Sequence, residues 1–281
     1  MNHVLSTHVI ANHRLNTVWL DKIWNAGVPA VEIFCARQHI DWRDAAQIRE
    51  LASFFRDAEL KLHSIHTPIY SDEYWGRSGP QAVLRITEPA KAKRNGMVDE
   101  IKRAIEIAEQ IPFRYAIQHL GVGGEEYDDR SVDAAFTALD EICSFARQRR
   151  VEVLLENIPN ALATSERLNL FNGQTHLKLN YCFDIGHANI TEGIEAAYAN
   201  MRDRIRSTHI HDNNGEEDSH LFPLTSGGSI DWAQAMDLLR SRADQYPLLL
   251  ELKEVPGKNQ LAMVREVYEK LEALEPSNHE R

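Results

Sequence analysis

Residues 151–157 read VEVLLEN, a short apolar run that ends in a carboxylate and an amide. It follows the stretch SVDAAFTALDEICSFARQRR at 131–150, whose apolar residues recur every three or four positions, as in an amphipathic helix with Ser131 as its N-cap. Similar pairs of a helical stretch and a short apolar run fill the rest of the chain. This alternation is typical of repeated βα units that build a parallel sheet.

Outward from 151–157 the chain contains eight such units, with further helical patterns at 44–58 and 99–111. No Gly/Ser-rich linker divides them. The sequence therefore predicts a single TIM-type (β/α)8 barrel domain over residues 1–281. The predicted strands are VLSTHVI at 4–10, AVEIF at 30–34, LKLHSIH at 60–66, YAIQHL at 115–120, VEVLLEN at 151–157, LNYCFDI at 179–185, RIRSTHI at 204–210 and PLLLELK at 247–253.

One spacing is uneven. Residues 70–96, YSDEYWGRSGPQAVLRITEPAKAKRNG, form a long insertion between the third strand and its helix. Insertions at βα junctions lie at the active face of a barrel, where substrate walls are built. Tyr70 and Trp75 in this insertion, and Phe222 in a later rim loop, are candidates for an apolar wall against a sugar ring, although ordinary loop packing explains them equally well.

Composition excludes several classes of protein. The 31 Lys and Arg against 42 Asp and Glu give a net charge of −11, which makes nucleic acid an unfavourable partner. Three cysteines without CxxC spacing argue against a disulfide framework and a cysteine zinc site. The chain has no secretory signal and no run of about 18 apolar residues, so we expect no membrane insertion and a cytoplasmic location. Apolar helix faces of such barrels often form dimers, which leaves a homo-oligomer open.

Ionisable side chains recur near the carboxyl ends of seven predicted strands. Buried parallel strands should be apolar throughout, so these residues need a reason. Three carboxylates from the fifth, sixth and eighth strands converge with a histidine from the seventh, and a cation among them would relieve their repulsion. Separate salt bridges are the alternative reading. The residues are Glu32, His66, His119, Glu156, Asp184, His209 and Glu251, in strand order from the second to the eighth.

The segments LLENIPN, FDIGH, HIHDNNGEEDSH and LLLELK, taken together and in this order, resemble the xylose-isomerase-like TIM barrels, which include sugar isomerases and epimerases, inosose dehydratases and the endonuclease IV group of abasic-site nucleases. The resemblance implies that Glu156, Asp184, His209 and Glu251 bind one divalent metal ion: Mn²⁺, Co²⁺, Mg²⁺ or Zn²⁺. His211 competes with His209 for the ligand role. His209 is preferred because an acidic residue, Asp212, stands three positions after it, as in the family.

Five more residues match positions where the endonuclease group carries additional zinc ligands. In sugar-converting members the same positions can contact substrate hydroxyls, so the resemblance leaves two roles open: substrate binding, or a second or third metal ion. The loop after His119, GVGGEEYDD, departs from the nuclease pattern, because it lacks a proline-glycine turn and is acidic. The five residues are His66, His119, His187, Asp218 and His220.

The favoured function is therefore a metal-dependent isomerase or epimerase of a sugar or polyol-derived ketose. In this hypothesis Glu156 and Glu251 are the catalytic residues and transfer a proton through an enediolate, while the metal polarises the carbonyl. The substrate is a small sugar. An inosose-type dehydratase needs the same proton abstraction. An abasic-site endonuclease and a catalytically silent sugar or metal binder are the contrasting alternatives.

Overall fold

The chain folds into alternating strands and helices. The computed structural model describes residues 1–242 and 246–275, and within them eight parallel strands form one sheet. The strands are β1 (His3–Ser6), β2 (Ala30–Phe34), β3 (Lys61–His66), β4 (Tyr115–His119), β5 (Glu152–Glu156), β6 (Asn180–Asp184), β7 (Ile205–His209) and β8 (Leu248–Leu250). Each overlaps a strand predicted from the sequence. The first was predicted over 4–10 but ends at Ser6, because Oγ of Ser6 accepts the His8 N–H and starts a 3-10 helix over Thr7–Ile10. Their order in the sheet is β7-β6-β5-β4-β3-β2-β1-β8.

The two ends of this sheet meet between β7 and β8. Within the described ranges, one parallel bridge joins them, Ile210 to Leu250. The Ile210 N–H donates to the Leu249 carbonyl at 2.9 Å, and the Glu251 N–H donates to the Ile210 carbonyl at 3.1 Å. By contrast, β4 and β5 pair over five positions. The contact nevertheless completes the ring, and the predicted (β/α)8 TIM barrel is confirmed.

Helices cover the outside of the ring. Two helices, the third and the fourth, begin earlier than the sequence predicts. The fourth helix begins at Asp129 rather than Ser131, because the Asp128 carboxylate accepts the Ser131 N–H and is the N-cap. The helices are α1 (Thr17–Asn25), α2 (Ala45–Asp57), α3 (Lys91–Ile105), α4 (Asp129–Gln148), α5 (Ser165–Gln174), α6 (Ile185–Asn189), α7 (Ile194–Met201), α8 (Trp232–Arg240) and α9 (Gln260–Ala273).

The insertion after β3 is present but shorter than predicted. Helix α3 already begins at Lys91, so residues 91–96 belong to it, and its 3-10 continuation ends at Glu109. The remaining segment is folded against itself by an antiparallel bridge between Tyr70 and Val83. It also contains one 3-10 turn, Gly79–Ala82. The insertion therefore places a compact loop at the carboxyl end of β3.

The main apolar core lies between the sheet and the helices. It is built from buried aliphatic side chains on the strands and on the inner faces of the helices. All three cysteines are free and buried, as the sequence predicted. Among the described residues, no helix combines the length and apolar character needed to cross a membrane. That residues 1–281 form one domain stays a prediction.

Candidate metal and substrate site

A small apolar cluster inside the barrel supports the site from below. Tyr115, Ile117, Leu154 and Cys182 pack together there, separate from the main core. Side chains two positions apart on a strand share a face. Two positions beyond Ile117, Leu154 and Cys182, the strands therefore aim three polar side chains at the same space above this cluster. Those side chains are His119, Glu156 and Asp184.

Four strand-end residues converge over the barrel axis. Glu156, Asp184, His209 and Glu251 each place one potential ligand atom within 4.8 Å of the others, and we call them the inner group. All four are buried. Nδ1 of His209 lies 3.0 Å from Oε1 of Glu156, 3.2 Å from Oε2 of Glu251 and 3.8 Å from Oδ2 of Asp184. The sequence thus named four side chains that the fold brings together.

The charges of the inner group are strongly coupled. Burial by itself would lower the pKa of His209, but the surrounding negative charges, among them the carboxylates of Glu251 and Glu156, raise that pKa well above its ordinary value. Burial would likewise raise the pKa of Glu156, yet the nearby histidines His209 and His119 hold it well below its usual range. Three buried carboxylates therefore require positive charge between them, and the donor set fits a divalent cation.

Glu32 has a definite place beside this group. Its carboxylate is fully buried, accepts a hydrogen bond from Oγ of Ser64 at 2.7 Å, and lies 3.2 Å from Nε2 of His209. A carboxylate behind a ligating histidine fixes the orientation of the ring and the nitrogen that carries the proton. With Nε2–H directed at Glu32, Nδ1 of His209 faces the inner group.

A second set of donors shares Glu156. His66, His119 and Glu156 form the middle group, in which Nε2 of His119 lies 3.1 Å and Nε2 of His66 lies 3.4 Å from Oε2 of Glu156. Nδ1 of His66 contacts the Thr67 carbonyl at 2.8 Å, which orients that ring. Glu156 thus presents one oxygen to the inner group and the other to two histidines.

A third set lies nearer the rim. His187, His211, Asp218 and His220 form the outer group. The two Asp218 oxygens lie 3.1 Å from Nε2 of His187 and 3.2 Å from Nε2 of His220. Burial would raise the pKa of Asp218, but the two histidines hold it far below its usual range. Burial would likewise lower the pKa of His220, but the Asp218 carboxylate raises it to about 9.

His211 was not among the predicted site residues, but it belongs to the outer group. Its Nε2 lies 3.1 Å from Oδ1 of Asp184, and its ring stacks on His220 with centroids 3.9 Å apart. A Cβ at Gly186 would lie 2.0 Å from His211, so the glycine of FDIGH is required by the fit of this ring. The alternation in HIH put His211 on the face of His209, and this was the available signal.

Asp212, the acidic residue that favoured His209, has a structural role. Its carboxylate accepts hydrogen bonds from Nε1 of Trp232 at 2.7 Å and from the backbone N–H groups of Ser229 and Ile230. A Cβ at Gly228 would lie 2.2 Å from this carboxylate. Asp212 therefore ties the loop after β7 to the start of α8.

A cavity of about 360 Å³ opens over the three groups. Phe34 and Trp75 form an aromatic part of its wall, and Tyr70 packs edge-on against Trp75. Phe222 is buried in the main core instead, so its proposed place on the wall is wrong. His8, at the end of β1, also lines the cavity and was missed. Two larger grooves, of about 990 and 640 Å³, lie elsewhere and contain no strand-end donors.

The fold agrees with comparisons to known proteins. A family model described as the xylose isomerase-like TIM barrel matches residues 20–274, so the chain belongs to this family. The uncharacterized protein MJ1311 of Methanocaldococcus jannaschii is 28% identical over 249 residues, which cover 84% of this chain and 78% of that protein.

Two solved structures are similar over nearly their whole length. A D-tagatose 3-epimerase-like protein is 24% identical with a TM-score of 0.77, covering 96% of this chain and 97% of its own. An L-ribulose 3-epimerase is 18% identical with a TM-score of 0.73, covering 99% of each chain. At these identities the likeness shows the fold.

Proposed function

We propose that this protein is a metal-dependent isomerase or epimerase of a small ketose. The observation that carries the proposal is that Glu156 and Glu251 belong to the inner group and also line the 360 Å³ cavity. That volume suits one monosaccharide. Two similar structures are named as 3-epimerases or their relatives, which supports the same reaction class.

The inner group provides the metal site in this proposal. Glu156, Asp184, His209 and Glu251 would hold one Mn²⁺, Co²⁺, Mg²⁺ or Zn²⁺, because three carboxylates and one imidazole suit these ions. When bound, the ion would polarise the substrate carbonyl and stabilise the negative charge of the enediolate. The middle and outer groups are sites for substrate hydroxyls, or for a second and third ion.

Glu156 and Glu251 would move the proton. They come from β5 and from the end of β8, with β6 and β7 between them, so in this proposal they reach a substrate in the cavity from two directions. One carboxylate removes the proton from the carbon next to the carbonyl, and the other returns a proton to the opposite face. No atoms are gained or lost, so no oxidant or further substrate is needed. In a dehydratase the same abstraction would be followed by loss of a neighbouring hydroxyl as water.

His187 is placed to orient the substrate. Nδ1 contacts the Asn157 carbonyl at 2.9 Å, and Nε2 contacts Asp218 at 3.1 Å, so both ring nitrogens are held. The ring also lines the cavity. We propose that His187 and Asp218 together receive a substrate hydroxyl near the reacting carbons, which would fix the proton to be removed relative to Glu156.

Ketose turnover in heavy water tests the proposal. The protein is loaded with Mn²⁺ or Co²⁺, incubated in D₂O with D-fructose, D-tagatose, D-psicose and L-ribulose, and the products are analysed by NMR. We expect an epimer or aldose with deuterium on the carbon next to the carbonyl, and no conversion after chelation. Absence of conversion and exchange with all ketoses and both ions would contradict it.

One observation favours a second function. Three donor groups lie side by side and two of them share Glu156, which is the arrangement that a multi-metal phosphodiesterase would need. The acidic loop after His119 would repel a phosphate backbone, which weighs against this alternative. Chelator-sensitive nicking of abasic-site DNA, with no ketose turnover, would replace the proposal by this one.

A further inference from the structure

We propose that His8 is a substrate-binding residue that recognises one hydroxyl on the carbons of the ketose that do not react. This inference rests on the proposed function and adds a specificity determinant to it. The three donor groups do not include His8. It lies in the 3-10 turn Thr7–Ile10, directly after β1, and lines the same cavity as Glu156 and Glu251.

The contrast with the other histidines of the cavity is the main observation. Each of the other four has a described polar partner. His66 contacts the Thr67 carbonyl and His119 contacts Glu156. His187 contacts Asp218, and His220 contacts the Glu251 carbonyl. Nδ1 of His8, by comparison, is buried and has no hydrogen-bond partner among the described residues.

An unpartnered buried nitrogen needs an explanation. Leaving such a group unsatisfied destabilises the folded protein, and most buried polar atoms in native proteins are paired. The backbone around His8 is well fixed, since Oγ of Ser6 accepts its N–H and its carbonyl accepts the Ala11 N–H. The position of the residue is therefore set by the fold, and its side chain lines the cavity.

The surroundings of His8 indicate the chemistry of its ligand. Its ring packs against Phe34 with centroids 4.6 Å apart, edge-on to Trp75 at 5.5 Å and to His220 at 4.8 Å. An imidazole framed by aromatic rings can exchange a hydrogen bond with a hydroxyl, while the rings cover the adjacent C–H groups.

Deoxy analogues provide the test. The rate constant kcat/KM is measured for the Mn²⁺-loaded protein with D-fructose and its 4-, 5- and 6-deoxy forms, and again for His8→Phe. We expect one analogue to react about 5- to 10-fold less well than fructose with the unmodified protein, which is the value of one hydrogen bond. In His8→Phe this penalty should disappear. The loss should be expressed mainly in KM, because the contact is equal in the ground and transition states.

Two further variants guard against loss of folding. His8→Asn keeps a hydrogen-bonding group and should restore part of the discrimination. His176→Phe makes the same substitution at an exposed histidine that pairs with Asp140 outside the barrel, and should leave all ratios unchanged. Calorimetric binding of D-glucitol, which has no carbonyl to react, should weaken by the same 5- to 10-fold in His8→Phe.

The outcomes separate the two proposals. Equal relative rates for every deoxy analogue in the unmodified protein and in His8→Phe, with turnover intact, would overturn the role of His8 and leave the proposed function standing. Failure of the unmodified protein to convert any ketose would overturn the proposed function, and the role of His8 with it.

Discussion

The inner and outer groups each contain four donor residues but have different supports. All four members of the inner group stand at or directly after the ends of strands and are shielded from solvent. In the outer group, His211, Asp218 and His220 come from the loop after β7, and the Asp218 side chain is 36% exposed. Donors on rigid strands are held more precisely than donors on loops. In the proposed function, the inner group would therefore carry the chemistry and the outer group would contact the substrate.

We expect the largest effect from Glu156→Gln, because Glu156 belongs to both the inner and the middle group. Turnover should fall by at least about 10³-fold, because a proton-transfer group and a metal ligand are lost together. Steady-state kinetics and metal analysis would measure this. Glu152→Gln is the matched control, since Glu152 lies at the start of the same strand and contacts Asn180 instead. Equal activity of both variants would refute the assignment.

Glu32→Gln tests whether the carboxylate behind His209 supports metal binding by the inner group. Removing the carboxylate behind His209 is expected to weaken metal binding by about 10- to 100-fold, as for other outer partners of ligating histidines. Calorimetric titration with Mn²⁺ would measure the Kd. Ser64→Ala removes only one hydrogen bond to Glu32, so its Kd for Mn²⁺ should lie between those of the unmodified protein and Glu32→Gln. An unchanged Kd in Glu32→Gln would show that His209 needs no such partner.

Asp218→Asn addresses the outer group alone. We expect turnover to fall about 10-fold, because His187 and His220 lose a charged partner. The affinity of the inner group for Mn²⁺ should change by less than about 3-fold, since Asp218 contributes no donor to it. Kinetics and metal titration on one preparation would test both statements. A loss of metal binding as large as that of Glu156→Gln would remove the distinction between the groups.

The smallest expected effect concerns the pH dependence of the metal-free protein. The pKa of His220 is about 9 when folded, above the value of about 6.5 for an unfolded chain. The stability from its pair with Asp218 is therefore fully present below about pH 6.5 and is lost as the pH rises towards 9. Solvent screening limits it to about 1 kcal/mol. The free energy of unfolding, measured with urea and chelator, should decrease less between pH 6 and pH 9.5 in Asp218→Asn than in the unmodified protein.

Local periodicity predicted the barrel, whereas the four residues of the inner group were predicted from their places at strand ends together with the family resemblance. The alternation in VEVLLEN fixes which side chains share a face, and the order of strands then brings Glu156 and Asp184 together. Helix starts were less certain. Asp128 lies outside the apolar pattern that begins at Ser131, so periodicity could not identify it as the cap.

Other parts of the site depend on contacts that no local pattern encodes. His8 lies within an apolar run that looks like a continuous strand, and only the turn to a 3-10 helix directs it to the cavity. Phe222 was placed at the rim by its position in a loop, yet that loop folds back because Asp212 binds Trp232. The burial of His211 likewise depends on the space left by Gly186.

The short junction between β7 and β8 has a consequence for the strength of the barrel. The described residues join the two strands by two backbone hydrogen bonds and one from Oγ1 of Thr208 to the Pro247 carbonyl, fewer than between β4 and β5. The inner group spans this junction, with His209 on one side and Glu251 on the other. An ion bound by His209 and Glu251 would link β7 to the end of β8. The ion that activates a substrate would then also stabilise the contact between β7 and β8, so that chelation should lower both the activity and the resistance of this junction to opening.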